Sequence, residues 1–311
     1  MAFLQLVPCH AVVFEATGNA SHNTAAPTGA FEDSGWQFEG YYGGFLGTMI
    51  APQYFITAQH IGDQGGTFVH AGLFNGGADV SYTIDAAANG GAGYWDIAGT
   101  DLRIVKINEV FPYYAPLYSG SAETGLTLVT AGRGGARGAE VIVSGTVQGW
   151  LHTPADGIAR WGSNIVSDVT TIGGLGELLV VEFDDSGPFH TAEEATLSNG
   201  DSGGGVFVND GGVWKLAGVN YSVDGLFDTN NVTGDGSEFQ AALFDRGGLY
   251  QGSDAQGWSF IPNLPPDNPA SFYATRISSN LAAIQAIAVV PEPGSMLLMA
   301  ASALAGLRRR R

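Results

Sequence analysis

From about residue 40 to residue 225 the apolar positions come in short runs. "FLGTMI" (45–50), "YFITA" (54–58), "DLRIVKI" (101–107), "GLTLVTAG" (125–132), "EVIVSGTV" (140–147), "ELLVVEF" (177–183) and "VWKLAGV" (213–219) are rich in β-branched and aromatic residues. Gly, Pro, Asn or Asp bounds them, so each run predicts a short strand. Helical spacing enters only in "SFYATRISSNLAAIQAIA" (271–288), where Ile277, Leu281, Ile284 and Ile287 recur three or four residues apart. This predicts a strand running into a terminal helix. Residues 224–270 are long, polar and Pro-rich near their end, and predict an elaborated surface loop with a strand or two of its own. Many strands and one closing helix specify all-β barrels, not an alternating α/β chain.

Composition supports this reading and removes some functions. Glycine is abundant, at 47 of 311 residues, which suits tight turns between short strands. The formal charge is −18 and no Lys or Arg precedes Arg103. Such a surface repels phosphate backbones, which excludes nucleic acid as a partner. Cys9 is the single cysteine, so no intrachain disulfide can form. A core of this size can hold an extracellular protein together without one.

The two ends read as address labels. "MAFLQLVPCHA" (1–11) is apolar and places small residues before Val12, as the tail of a secretory leader would. At the other end, "VVPEPGSMLLMAASALAGLRRRR" has a Pro-Glu-Pro break, an uncharged run from Gly294 to Leu307, and four arginines, Arg308 to Arg311. With "VPEP" at Val290–Pro293, it resembles the PEP-CTERM sorting signal of Gram-negative bacteria. The resemblance implies recognition and cutting by an exosortase-type peptidase, transient inner-membrane contact, and export to the cell envelope, surface or extracellular matrix. The arginines favour the cytoplasmic side. The uncharged run makes only about 21 Å of hydrophobic sorting helix against a ~30 Å hydrocarbon core, a temporary handle more than a permanent transmembrane helix.

The candidate chemistry lies in "LSNGDSGGGVF" (197–207). "GDSGG" satisfies the pattern of a hydrolase nucleophile elbow, which requires a helix next and a histidine later in the chain. Here His10, His22, His60, His70, His152 and His190 all precede Ser202, and a hairpin pattern follows. The elbow is excluded. The order His, Asp, Ser remains: His60 in "APQYFITAQHIGD", Asp101 in "GTDLRIVKI" and Ser202 in "NGDSGGG".

These segments resemble, in order, the TAAH, D-I-A-L and GDSGG motifs of the chymotrypsin/trypsin family of serine proteases, over about residues 35–288. The resemblance implies two antiparallel β-barrels, about 30–125 and 126–270, in a protease domain of residues 12–288. A terminal helix, 271–288, packs on the second barrel. It implies a serine endopeptidase with Ser202 as nucleophile, His60 as base, Asp101 orienting the imidazole, and Gly200 and Ser202 N–H groups as the oxyanion hole. The substrate would be a peptide or protein, and neither a metal nor an organic cofactor is required. Asp96 in "YWDIAGTD" is the alternative acid, since only Asp101 is followed directly by a long apolar-alternating strand. His70 and His190 read as structural or surface residues.

Asp201 reads as structural support, turned inward onto a cation: the amine of Val12, freed by leader removal, or an internal one. By the same resemblance Thr196 floors the specificity pocket, with Tyr221 and Val223 on its wall. Without a carboxylate at Thr196 a basic residue is not expected there, and Val223 narrows the slot towards small apolar side chains. Gln59 before the histidine and Gly205, where the family commonly has proline, depart from the family pattern, and every family disulfide is absent. "DTNNVTGDGSE" (228–238) is oxygen-rich but lacks the spacing of an EF-hand, so it reads as a solvated loop. The competing reading of the whole is a non-catalytic surface or matrix protein that binds a partner on the same scaffold.

Overall fold

The computed structural model describes residues 12–288. The leader (1–11) and the sorting tail (289–311) lie outside the described residues. The described residues are mostly β-structure with little helix, in two seven-stranded antiparallel sheets and three small ones.

The first large sheet runs, edge to edge, Val80–Thr83, Thr67–His70, Glu39–Tyr42, Phe45–Ala51, Tyr54–Ala58, Leu102–Lys106 and Tyr94–Asp96. Its aromatic side chains interlock: Tyr42 lies 5.1 Å from Phe55, ring to ring, and Phe55 4.5 Å from Phe68. The sheet curls until Ile84, just past one edge strand, bridges Ile107. The second runs Arg160–Ile165, Thr127–Gly132, Gly205–Asp210, Val213–Val223, Ser271–Arg276, Gly176–Glu182 and Asp168–Ile172. Its two edge strands follow one another in sequence, and Asn164 Nδ2 donates to the Glu182 carbonyl at 2.8 Å between its ends. Among the described residues neither sheet closes by a full strand ladder. The expected all-β class is met, while the two closed barrels expected from the sequence are not what these sheets form.

The largest core cluster joins the sheets, with Leu46, Met49 and Phe55 from the first and Phe207, Leu216 and Val219 from the second. Burying such side chains contributes roughly 1.5–3 kcal/mol each. The seam between the sheets is thus apolar core as well as the place where their loops meet. A strand, Ser271–Arg276, leads into a short helix, Leu281–Ile287, as the periodicity predicts. Ile277 and Ile284 are fully buried, and they join the cluster shared by both sheets, not one that belongs to the second sheet alone.

Two elements differ from the pattern reading. "EVIVSGTV" is a hairpin, Arg137–Val143 with Thr146–His152, instead of one strand. Ser144 and Gly145 both have positive φ, 52° and 88°, which reverses the chain in two residues. Residues 224–270 contribute four strands: Leu226–Asp228, Ala241–Leu243, Tyr250–Ser253 and Gly257–Phe260. Ala241–Leu243 adds to the edge of that hairpin, which fixes the preceding residue, Gln240, beside the second sheet's loops.

Candidate active site

His60 follows the strand Tyr54–Ala58 of the first sheet, and Asp101 precedes the neighbouring strand Leu102–Lys106, so antiparallel pairing of Ala58 with Leu102 brings both to one end. The Gln59 N–H donates to the Asp101 carbonyl at 2.6 Å and the His60 N–H to Asp101 Oδ1 at 2.9 Å. Asp101 Oδ2 lies 2.6 Å from His60 Nδ1. On the other side of the ring, His60 Nε2 lies 2.7 Å from Ser202 Oγ. The Asp101 side chain is 5% exposed and that of His60 40%, so the carboxylate is screened from water while the imidazole can reach a ligand.

Asp96, the alternative acid, is elsewhere. Its carboxylate forks onto Arg103, at 2.7 Å to Nε and 3.0 Å to Nη2, on the far strand pair of the same sheet. His70 is buried with Nε2 3.1 Å from the Gln37 carbonyl, and His190 lies 3.6 Å from Glu15. Neither joins the site.

Ser202 comes from the loop before the second-sheet strand Gly205–Asp210. Gly200 has φ of 101°, a conformation that suits glycine. Among the described residues no acceptor is bonded to the N–H of Gly200 or Ser202, so both donors are available. The later glycines also serve packing, and Gly203 has φ of 84° besides. A Cβ on Gly203 would lie 2.2 Å from Thr57 Oγ1, and one on Gly204 2.0 Å from the Ala131 carbonyl oxygen. The loop lies so close to both sheets that no side chain fits there.

Asp201 is buried and turned inward, but not onto the cation expected for it. Oδ1 accepts from the Gly134 N–H at 2.6 Å and Oδ2 from the Ser198 N–H at 2.7 Å. Burial pushes its carboxyl up from 3.8 to about 7, against the pull of those donors and the field of Arg160. Val12 is held elsewhere, packed with Phe14 and Ala195 in a small apolar cluster. Main-chain amides hold the carboxyl in this chain, the turn at Gly134 approaching closely enough to supply one.

A cavity of about 500 Å³ opens beside Ser202, lined by Tyr221, Val223, Leu197, Asn199 and Gln240 among others. Thr196 is not part of it. That residue pairs with Val13 in a two-stranded sheet and is buried behind the cavity wall. The Tyr221 ring stands edge-on to that of His60, 5.6 Å between centroids.

Asn220 escaped the sequence reading. Fully buried, it donates through Nδ2 to the Ala131 carbonyl at 2.9 Å and the Asp201 carbonyl at 3.2 Å, and accepts from Thr130 Oγ1 at 3.0 Å. It pins the Ser202 loop to two strands. The signal was one amide inside "AGVNYSV", an otherwise apolar strand. Gln240 also escaped, since nothing local distinguishes it. In the 228–238 loop, ligand oxygens of Asp228, Asp235 and Glu238 lie within 4.8 Å of one another. The Ser237 hydroxyl lies within hydrogen-bond reach of the first two, at 2.9 and 2.6 Å, and donates to one of them, so the cluster lies on the loop's own hydrogen bonds.

Residues 289–311 match the family model of the PEP-CTERM protein-sorting motif. The tail is a PEP-CTERM sorting motif. It marks an exported protein of the Gram-negative cell envelope, addressed to an exosortase-type sorting system. Among the described residues no helix is long and apolar enough to cross a membrane. No curated protein matches the chain. Among matching solved structures is the passenger domain of plasmid-encoded toxin, an autotransporter enterotoxin from enteroaggregative Escherichia coli. It is 14% identical with a TM-score of 0.43, and the match covers 84% of this chain and 23% of that one.

Proposed function

We propose that this exported protein is a serine endopeptidase of the trypsin-like kind, its two curled sheets standing in the place of that family's barrels. One observation carries the reading: the unbroken line Asp101 Oδ2, His60 Nδ1, His60 Nε2, Ser202 Oγ, with heavy-atom steps of 2.6 and 2.7 Å. A serine hydroxyl needs a base within hydrogen-bond reach, and that base needs a buried acceptor to fix its tautomer.

In this reading His60 Nε2 takes the hydroxyl proton as Ser202 Oγ bonds to the substrate carbonyl carbon. The oxygen, now negative, meets the N–H groups of Gly200 and Ser202, each worth on the order of 10²–10³ in rate. The imidazolium, stabilised by Asp101, gives its proton to the departing amine as the C–N bond breaks. Water then repeats the sequence on the acyl-enzyme. Asn220 and the Asp201 carboxyl hold the loop that carries nucleophile and donors.

A fluorophosphonate probe tests this. The folded chain is expected to bind it covalently at Ser202, located by peptide mass spectrometry, and Ser202→Ala to lose the label. A folded wild-type chain that takes up no probe would refute the peptidase reading and leave a partner-binding scaffold in its place.

A further inference from the structure

We propose that the cavity beside Ser202 accepts an uncharged, carboxamide-bearing side chain, glutamine foremost, on the residue whose carbonyl is attacked, and that Gln240 sets this preference. The inference rests on the peptidase reading and names the substrate class of the same site.

The cavity's volume, about 500 Å³, is large for a small apolar side chain to fill. Its walls are apolar at Leu197, Tyr221 and Val223, and its polar surface includes two side-chain amides, Asn199 and Gln240. The two amides are hydrogen-bonded to each other, Asn199 Nδ2 donating to Gln240 Oε1. One such bond leaves donor hydrogens and an acceptor oxygen unspent. That remains true if both amides are rotated together, Gln240 Nε2 then donating to Asn199 Oδ1. A side-chain carboxamide entering between the apolar walls finds a partner for both of its ends.

A charged side chain finds none. Of the ionisable groups lining the cavity, the Asp201 carboxylate is engaged by Gly134 and Ser198, His60 is bonded to Asp101 and Ser202, and burial pushes the Tyr221 phenol up, so it stays uncharged. A lysine or arginine would leave water without meeting a free anion, and a glutamate without meeting a free cation. A pocket that hydrogen-bonds its ligand discriminates far more strongly than an apolar one.

Gln240 is placed to do this firmly. Its carbonyl accepts from the His152 N–H at 2.9 Å, and the strand that follows it, Ala241–Leu243, is paired to Thr146–His152. The side chain therefore projects from the end of an anchored strand.

The test is a peptide mixture varied at the residue before the cleaved bond, digested by the full chain and read by mass spectrometry, with fluorophosphonate labelling measured separately. The expected result is cleavage after glutamine or asparagine about 10-fold or more above glutamate, lysine and arginine. Gln240→Glu places a carboxylate in the cavity and is expected to shift the ratio towards lysine and arginine by a similar factor. Should that variant not fold, Gln240→Met is expected to lose the amide preference to apolar residues. Intact labelling with cleavage after basic, acidic or aromatic residues, or a profile unmoved by the Gln240 substitutions, would overturn the specificity while leaving the peptidase standing. Absent labelling of the wild type would remove both.

Discussion

Gly205 and Glu39 meet across the seam between the two large sheets, the Gly205 N–H donating to Glu39 Oε1 at 3.1 Å. The same oxygen accepts from Thr48 Oγ1 at 2.8 Å, so a strand pair of the first sheet is tied to the second only three residues beyond Ser202. This accounts for glycine where the resembled family commonly has proline. Proline has no N–H, and a Cβ here would lie 2.6 Å from the Glu39 oxygen. Gly205→Pro is expected to cost about 2–4 kcal/mol through lost bonding and overpacking, measured by urea unfolding.

Glu39 makes stability depend on pH. Burial pushes its carboxyl up from 4.5 to about 8 in the fold. The folded state holds this proton more tightly than the unfolded state, so the favourable contribution is complete below pH 4.5 and is lost as pH rises through about 8. Glu194, pushed up to about 8, and Asp201, to about 7, act in the same direction. Glu39→Gln keeps an oxygen for Gly205 and Thr48 and cannot ionise. Its unfolding free energy should decline less steeply than the wild type's between pH 5 and 8, and parallel slopes would contradict the assignment.

The two candidate acids separate by rate. Asp101→Asn leaves the imidazole without its acceptor and is expected to slow probe labelling and peptide cleavage by about 10⁴. Asp96→Asn disturbs only the fork with Arg103 and should leave labelling within a few-fold, with a stability loss of about 1 kcal/mol. The check is the labelling rate of each variant at one pH, with circular dichroism to confirm the fold.

His152 is a liability that can be removed. Both of its ring nitrogens are closed from solvent and have no hydrogen-bond partner among the described residues, and burial pushes the ring's pKa down from 6.5 to about 4. Its proton binds more tightly in the unfolded chain, so stability is lost as pH falls from 6.5 towards 4. His152→Phe should raise stability by about 1 kcal/mol at neutral pH and by more at pH 5, in urea titrations at the two values.

Much of the fold was legible because strands advertise themselves locally. Apolar runs bounded by turn residues gave the strands at 45–51, 54–58, 102–106 and 127–132 nearly to the residue. The hairpin at 137–152 was misread as one strand because Ser144 looks unremarkable until its positive φ is known. Residues 224–270 hid four strands because each is only three or four residues long, too short for an apolar pattern to show even where Phe227 and Leu243 are fully buried. His60, Asp101 and Ser202 were found through motifs. Asn220 and Gly134, which hold the Ser202 loop, and Gln240, in the cavity wall, carry no motif.

The sequence by itself determined the β-class, the His–Asp–Ser order and the sorting tail, because these depend on neighbouring residues. Tertiary structure decided which aspartate meets His60, what holds Asp201, why Gly205 is not proline, and which residues line the cavity. Those answers depend on contacts between segments up to 166 residues apart, as Gly205 is from Glu39. No local pattern encodes such distances. They follow only when the sheets pack and main-chain amides, buried together, must find partners.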